Sequence, residues 1–329
     1  MGDSTLTVHA LDAGHFTLPE KFFVHPADEA ARRTVPSLAF LIQHHNQRTD
    51  KTTRIVFDLG LRRDINRYPQ QIQKHLETRH PLSTDPDVVK SLARGGLTPD
   101  DIDYVIYSHV HWDHVGEPRD FPKSTFVVGK GAVDLLAGNN PSPALSHSVF
   151  ESDLLDPNRT IELTDPSTSH LCRDSPDPYP QDGIGVADFD QIWSTHVESS
   201  IPFTAIDLFR DGTLYIIDAP GHLPGHINLL AKTARKLTTS GTDTPPIVET
   251  GSMYLAGDAC HDRRIVRGEK EIGEWIDPVH GVVCCIHTDK QMAEETIQRI
   301  RRLERGGTEV VLAHDFEWEE VHRDRFWGA

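Results

Sequence analysis

One stretch narrows the possibilities for this chain more than any other. Ser108-His109-Val110-His111-Trp112-Asp113-His114 places four potential metal ligands within six residues. It follows the apolar run Ile102 to Ser108, which reads as a strand. His109 and His111 are two apart, so on extended chain their rings face the same way. Asp113 and His114 come where the strand gives way to a loop, and Gly116 permits a tight turn there. A single ion rarely takes four ligands from so short a segment, so two ions side by side account for the density. Imidazole and carboxylate suit zinc at about 2.0–2.2 Å. Manganese and iron(II) accept the same ligands. The expected cofactor is two divalent metal ions, with Zn2+ first and Mn2+ or Fe2+ as substitutes.

Composition excludes several classes. The 329 residues carry a formal charge of −17, which repels a phosphate backbone, so no nucleic acid partner is expected. Hydrophobic residues at 37% and charged residues at 25% suit a globular chain and argue against long disorder. No apolar run reaches the roughly 18 residues of a membrane span, and no membrane association is expected. The N-terminal residues lack a basic start followed by an apolar stretch, so no secretory signal is expected. Cys172, Cys260, Cys284 and Cys285 form no Cys-x-x-Cys pattern and read as free thiols in a reducing, cytoplasmic compartment.

Along the chain, strands are expected at Leu6 to Ala13, Ser37 to Ile42, Arg54 to Asp58 and Thr125 to Val128. Helices are expected at Asp87 to Arg94, after Thr98-Pro99, and at Lys130 to Ala137. From about 138 to 202 the periodicity fades among Pro, Ser and Asp residues. This reads as an insertion near the active site, either a pocket wall or a decorated surface loop, with a short helix at Asp188 to Trp193. Asp211-Gly212 marks a hairpin between Ala205 to Phe209 and Thr213 to Ile217. Further strands are expected at Ile227 to Ala231, Met253 to Ala256 and Glu309 to Ala313, with a loop at Thr238 to Pro246. Asp289 to Glu304 is an amphipathic helix, with Thr288 and Gln291 spaced as a capping box. The order suits two sheets with helices outside, in one domain spanning 1–329.

His-x-His-x-Asp-His after a strand resembles the metallo-β-lactamase superfamily. Four further segments match in family order: Phe57-Asp58-Leu-Gly60, Asp218-Ala-Pro-Gly-His222-Leu-Pro-Gly-His226, Ala256-Gly-Asp258 and Ala313-His314-Asp315. The resemblance implies an α/β fold, a four-layered αββα sandwich with metals at one edge of the sheets. It implies His109, His111 and His222 on one metal, Asp113, His114 and His314 on the other, and Asp258 bridging. Asp58 would orient the ligands through hydrogen bonds. His226 would be structural, Asp315 an orienting or surface group, and Cys260 a buried thiol outside the coordination sphere.

Two adjacent ions lower the pKa of a shared water to about 7. The metal-bridging hydroxide then attacks a carbonyl carbon, while Asp113 carries the proton toward the leaving group. The lead-in Leu97-Thr-Pro-Asp-Asp-Ile-Asp and the acidic residues after His314 are similar to the N-acyl homoserine lactonase-like group. This implies a hydrolase opening a cyclic ester or cyclic amide. One position departs: where lactonases commonly carry a substrate-touching tyrosine, this chain has His261. Imidazole can protonate a leaving nitrogen near neutral pH, so a lactam or cyclic carbamate hydrolase of the benzoxazolinone type is the alternative. A mononuclear-iron persulfide dioxygenase-like enzyme shares the first motif. One iron per chain with oxygen uptake separates it from the hydrolases. The expected partner is a small cyclic ester or amide, and a homodimer is left open. Candidate pocket residues are Phe22, Phe23 and His25 near the N-terminus, with Phe150, Phe189, Trp193 and Phe203.

Overall fold

The computed structural model describes all residues except 1–3, 140–147, 172–183, 192, 196–197, 199, 238–246 and 278–280. In chain order, β1 (Ser4–Leu11), β2 (His15–Pro19), β3 (Val24–His25), β4 (Arg32–Pro36), β5 (Ala39–Asn46) and β6 (Lys51–Phe57) lead into α1 (Gln70–Leu76) and α2 (Val88–Arg94). Then come β7 (Tyr104–Ile106), β8 (Thr125–Val128), α3 (Ala132–Leu136), β9 (Thr160–Glu162), β10 (Ala205–Asp207), β11 (Leu214–Asp218), β12 (Ile227–Leu237) and β13 (Ile247–Leu255). The chain finishes with α4 (Arg263–Arg267), β14 (Glu271–Ile272), β15 (Glu274–Ile276), β16 (Val283–Cys285), α5 (Lys290–Arg305), β17 (Glu309–Val311) and α6 (Phe316–Val321). Among the described residues no helix is long and apolar enough to cross a membrane.

A six-stranded sheet runs β1-β5-β6-β7-β8-β9 and a five-stranded sheet runs β10-β11-β12-β13-β17. Period-two alternation makes both sheets two-faced. Phe40, Ile42, Ile55, Phe57, Ile106 and Val127 of the first sheet pack against Ile206, Ile216, Leu229, Leu255 and Val311 of the second. The intervening residues point outward. Leu41, Val56, Val105 and Phe126 meet Val88 and Leu92 of α2 and Leu135 of α3. Ile217, Leu230, Tyr254 and Val310 meet Ile265 of α4 and Ala293, Ile297 and Ile300 of α5. The result is helix, sheet, sheet, helix: the four layers the sequence suggests.

Several details differ from expectation. α5 is capped by Asp289, whose carboxylate accepts from Met292 N at 2.9 Å. Asp289, directly before the first turn, takes the role expected of Thr288. The segment after Thr98 is a single 3-10 turn, Pro99–Asp101. Among the described residues of Asp188 to Trp193 there is no helix. Gln191 Nε2 donates to Asp207 O at 2.8 Å and Trp193 Nε1 to Thr164 O at 2.7 Å, and these contacts hold the backbone irregular. β12 and β13 extend well beyond the apolar runs, to Leu237 and from Ile247. The loop expected at Thr238 to Pro246 lies outside the described residues, as does Cys172. Cys260, Cys284 and Cys285 are free.

Candidate metal centre

The histidine cluster sits on a loop, because strand pairing of β7 ends at Ile106. What shapes the loop is Asp58, just past β6. Its backbone is left-handed, with φ 60°. Its carboxylate accepts from Ser108 N and Ser108 Oγ, both at 2.7 Å, and from His114 Nδ1 at 2.9 Å. Ser108 Oγ in turn faces His109 Nδ1 at 3.0 Å. One carboxylate thus fixes two imidazoles through their Nδ1 edges and aims their Nε2 atoms inward.

The other members arrive on loops at the ends of second-sheet strands. His222 follows β11 through Gly221, at φ 125°. A Cβ there would stand 2.3 Å from Ala293 N, so only glycine lets the turn lie against α5. Asp258 follows β13 through Gly257, at φ 46°. His226 donates from Nδ1 to Ala219 O at 3.0 Å and accepts from Asp258 N at 3.1 Å. The ring is buried and hydrogen-bonded on both sides, one contact being to the backbone of Asp258. His314 donates from Nδ1 to Pro36 O at 2.8 Å, which leaves Nε2 to the cluster. Asp315 caps α6, accepting from Trp318 N, and pairs with Arg263.

All seven expected ligands meet. His109 Nε2, His111 Nδ1 and His222 Nε2 lie 3.0–3.2 Å from one another. Asp258 Oδ2 lies 3.7 Å from His109 Nε2 and 3.6 Å from His222 Nε2. These spacings approach the edge of a tetrahedron around an ion with ligands at about 2.0–2.1 Å. On the other side, Asp258 Oδ2 is 3.3 Å from His114 Nε2 and Oδ1 is 3.2 Å from His314 Nε2. Asp113 Oδ2 lies 3.6 Å from His314 Nε2. Two groups of four buried ligands therefore share Asp258. His109 and His111 converge on one point, but not by strand alternation: their rings stand at 86° and offer different nitrogens. The alternation rule applies to strand, and this stretch is loop.

Two observations show that the residues fit a pair of cations. His114 Nε2 and Asp258 Oδ1 are buried without a hydrogen-bond partner, a costly state unless a ligand completes them. Charge tells the same story. Burial, aided by neighbouring imidazoles, holds His109 and His222 well below the usual histidine pKa, so their lone pairs are available. Burial also opposes charge on His114 and His314, but Asp258 outweighs it and raises both. Burial pushes Asp258 up, and His261, His314 and His114 overcome it to hold the carboxyl well below its usual range. This carboxylate demands positive charge on every side, and divalent ions supply it in place of protons.

Above the cluster lies a cavity of about 320 Å3. Phe16, Phe22, Phe23, Trp112 and Trp275 are among its walls, with His111, Asp113, Asp258, His261 and His314 also bordering it. Phe22 and Phe23 are where the sequence suggests. Phe189 and Trp193 instead pack between the sheets, and Phe203 joins the apolar cluster under α5. Phe150 stacks beside His111, with centroids 5.9 Å apart. His261 is buried, with its ring 5.2 Å from Phe23 and its Nε2 3.1 Å from Asp258 Oδ2. Cys260 is buried too, its thiol pushed up to about 12 by that burial, and it is absent from the ligand groups.

His287 escaped the sequence reading. With His222 and His261 it forms a third buried histidine group, its ring 5.1 and 5.2 Å from theirs. Backbone bonds from Thr288 N to His222 O and Asp289 N to Gly221 O, both 2.9 Å, bring it there. No motif spacing surrounds His287 in the chain.

Residues 32–235 match the family profile of the metallo-beta-lactamase superfamily. The chain belongs to this superfamily. A curated relative, cytochrome P450 monooxygenase mpaDE of Penicillium brevicompactum, is 27% identical over 331 residues, covering 95% of this chain and 34% of that protein. The chain thus spans about one third of that relative's length. Gamma-lactamase FDB1 of Fusarium pseudograminearum is 28% identical over 263 residues, covering 78% of this chain and 54% of that protein. Among solved structures, AiiA of B. thuringiensis with N-decanoyl-L-homoserine at its active site aligns with a TM-score of 0.61. It is 16% identical, with 96% of each chain covered. That likeness establishes a shared fold. The metallo-β-lactamase fold expected from the histidine motif is therefore present.

Proposed function

We propose that this chain is a metal-dependent hydrolase that opens a cyclic ester or a cyclic amide. The observation that carries the reading is the shared carboxylate: Asp258 touches both ligand groups beside an apolar cavity. His109, His111 and His222 would hold one divalent ion and Asp113, His114 and His314 the other, with Asp258 between them. When bound, such a pair supplies a water nucleophile at neutral pH and polarises a carbonyl. The protein's own residues do the rest. Asp58, Ser108 and His226 fix the ligand edges by hydrogen bonds. Phe16, Trp112 and Trp275 wall the cavity and exclude bulk water, which strengthens every polar contact inside. Asp113 borders the cavity and can pass the proton of the attacking water to the leaving atom as the ring C–O or C–N bond breaks.

His261 favours the cyclic amide as a second reading. It is buried at the cavity with Nε2 toward Asp258, where it can hydrogen-bond a developing oxyanion or protonate a leaving nitrogen. Leaving nitrogen needs that proton more than leaving oxygen does. The relative named a gamma-lactamase supports this reading, and the lactonase-type fold supports the ester. A panel of homoserine lactones, aromatic lactones and benzoxazolinone-type lactams, run with zinc and with manganese, tests both. Ring opening of at least one class is expected. Failure on every ring with both metals contradicts the proposal.

A further inference from the structure

Among the described residues bordering the cavity, Arg79 is the only lysine or arginine. Its Nε donates to His75 Nε2 at 3.1 Å, and no carboxylate of the described residues forms an ion pair with it. Other partly buried arginines here are matched: Arg62 with Glu117 and Glu151, Arg33 with Glu20, Arg263 with Asp315 and Glu304. The backbone under Arg79 is pinned. Its N donates to Leu76 O and its O accepts from Thr17 N, each at 2.9 Å. The side chain thus springs from a braced corner between α1 and β2. Burial lowers its pKa, with only Asp113 pulling the other way among acids, and Asp113 belongs to the metal ligands in the reading above.

A cation in an apolar wall without a counter-ion costs free energy that an incoming anion offsets. Guanidinium is also the group that takes a carboxylate through two parallel hydrogen bonds. The cavity, at about 320 Å3, lies near the lower limit of small-molecule sites, roughly 300–1,000 Å3. Its aromatic walls suit a flat body of one or two rings. We propose that Arg79 is an anion subsite: it takes a carboxylate that the substrate carries apart from the carbonyl being opened. The substrate class is then an aromatic lactone or lactam with a carboxylate substituent. This rests on the hydrolase reading for the cleaved bond, but the subsite itself is a matter of binding.

The test separates the two. Isophthalate and terephthalate are titrated by calorimetry into the metal-loaded full chain, each against its methyl monoester, which keeps one carboxylate for the metals. The diacids bind roughly tenfold or more tightly than the monoesters in the wild type. Arg79→Met reduces that advantage to within about twofold, and Arg79→Lys keeps part of it. Metal content of each variant reports whether the site stays assembled. If Arg79→Met loses metal, the same ratio measured in Arg79→Gln and Arg79→Lys decides. Equal binding of diacid and monoester by the wild type, or an undiminished advantage in Arg79→Met or Arg79→Gln, overturns the proposal. A chain that keeps the Arg79-dependent preference yet opens no ring refutes the hydrolase reading and leaves the subsite standing. Ring opening without the preference does the reverse.

Discussion

His261 Nε2 stands 3.1 Å from Oδ2 of Asp258, the carboxylate on which both ligand groups converge. The histidine also borders the cavity, where the proposed reaction would develop charge on a carbonyl oxygen. Replacing it tests whether it donates a hydrogen bond or a proton. His261→Tyr keeps a donor but titrates far above neutrality, so ester opening is retained within about tenfold while amide opening falls by about 10²-fold or more in kcat. His261→Phe lowers both. Equal losses on lactone and lactam in His261→Tyr would remove the proton-donor role.

Asp58 supports the site without a place among its ligands. Its carboxylate accepts from Ser108 and His114, so Asp58→Asn puts a donor where acceptors are needed. Metal affinity, read by competition with a chromophoric chelator, drops by about 10- to 100-fold. Unchanged affinity would show that the loop holds its own geometry.

Asp218 lies at the end of β11, and burial raises its carboxyl to about 6, with Arg299 opposing. The folded chain therefore binds a proton more tightly than the unfolded one. The stability this group contributes is present below the unfolded carboxylate pKa and is lost as pH rises through the folded value. Asp218→Asn is expected to stabilise the fold by about 2–3 kcal/mol at pH 8 and to have little effect at pH 4. Urea unfolding at the two pH values checks this. A variant equally destabilised at both would show that the carboxylate makes an interaction the amide cannot.

Much of the site could be read from the chain because its ligands are locally dense. Four lie between His109 and His114, and His222, Asp258 and His314 each follow a small-residue turn after an apolar strand. The order of apolar runs and helices likewise revealed two sheets with helices outside. Contacts without local pattern stayed hidden. His287 reaches the site only through backbone bonds to the His222 loop, and Arg79 is one arginine among many in the sequence. The polar tail of β12, Lys232-Thr-Ala-Arg-Lys, lies beyond the strand expected at Ile227 to Ala231, because backbone pairing with β13 leaves no apolar run to read. Asp188 to Trp193 reads as helix from composition, yet side-chain bonds to Thr164 and Asp207 decide its path.

In the proposed reaction two ions and one shared carboxylate open a cyclic carbonyl. Stripped of metal by a chelator, the chain is titrated with zinc while ring opening of the best lactone or lactam of the panel is followed. That mechanism requires no activity without metal and a rise that levels off at two equivalents per chain. A plateau at one equivalent, or hydrolysis that persists in the stripped chain, would contradict it.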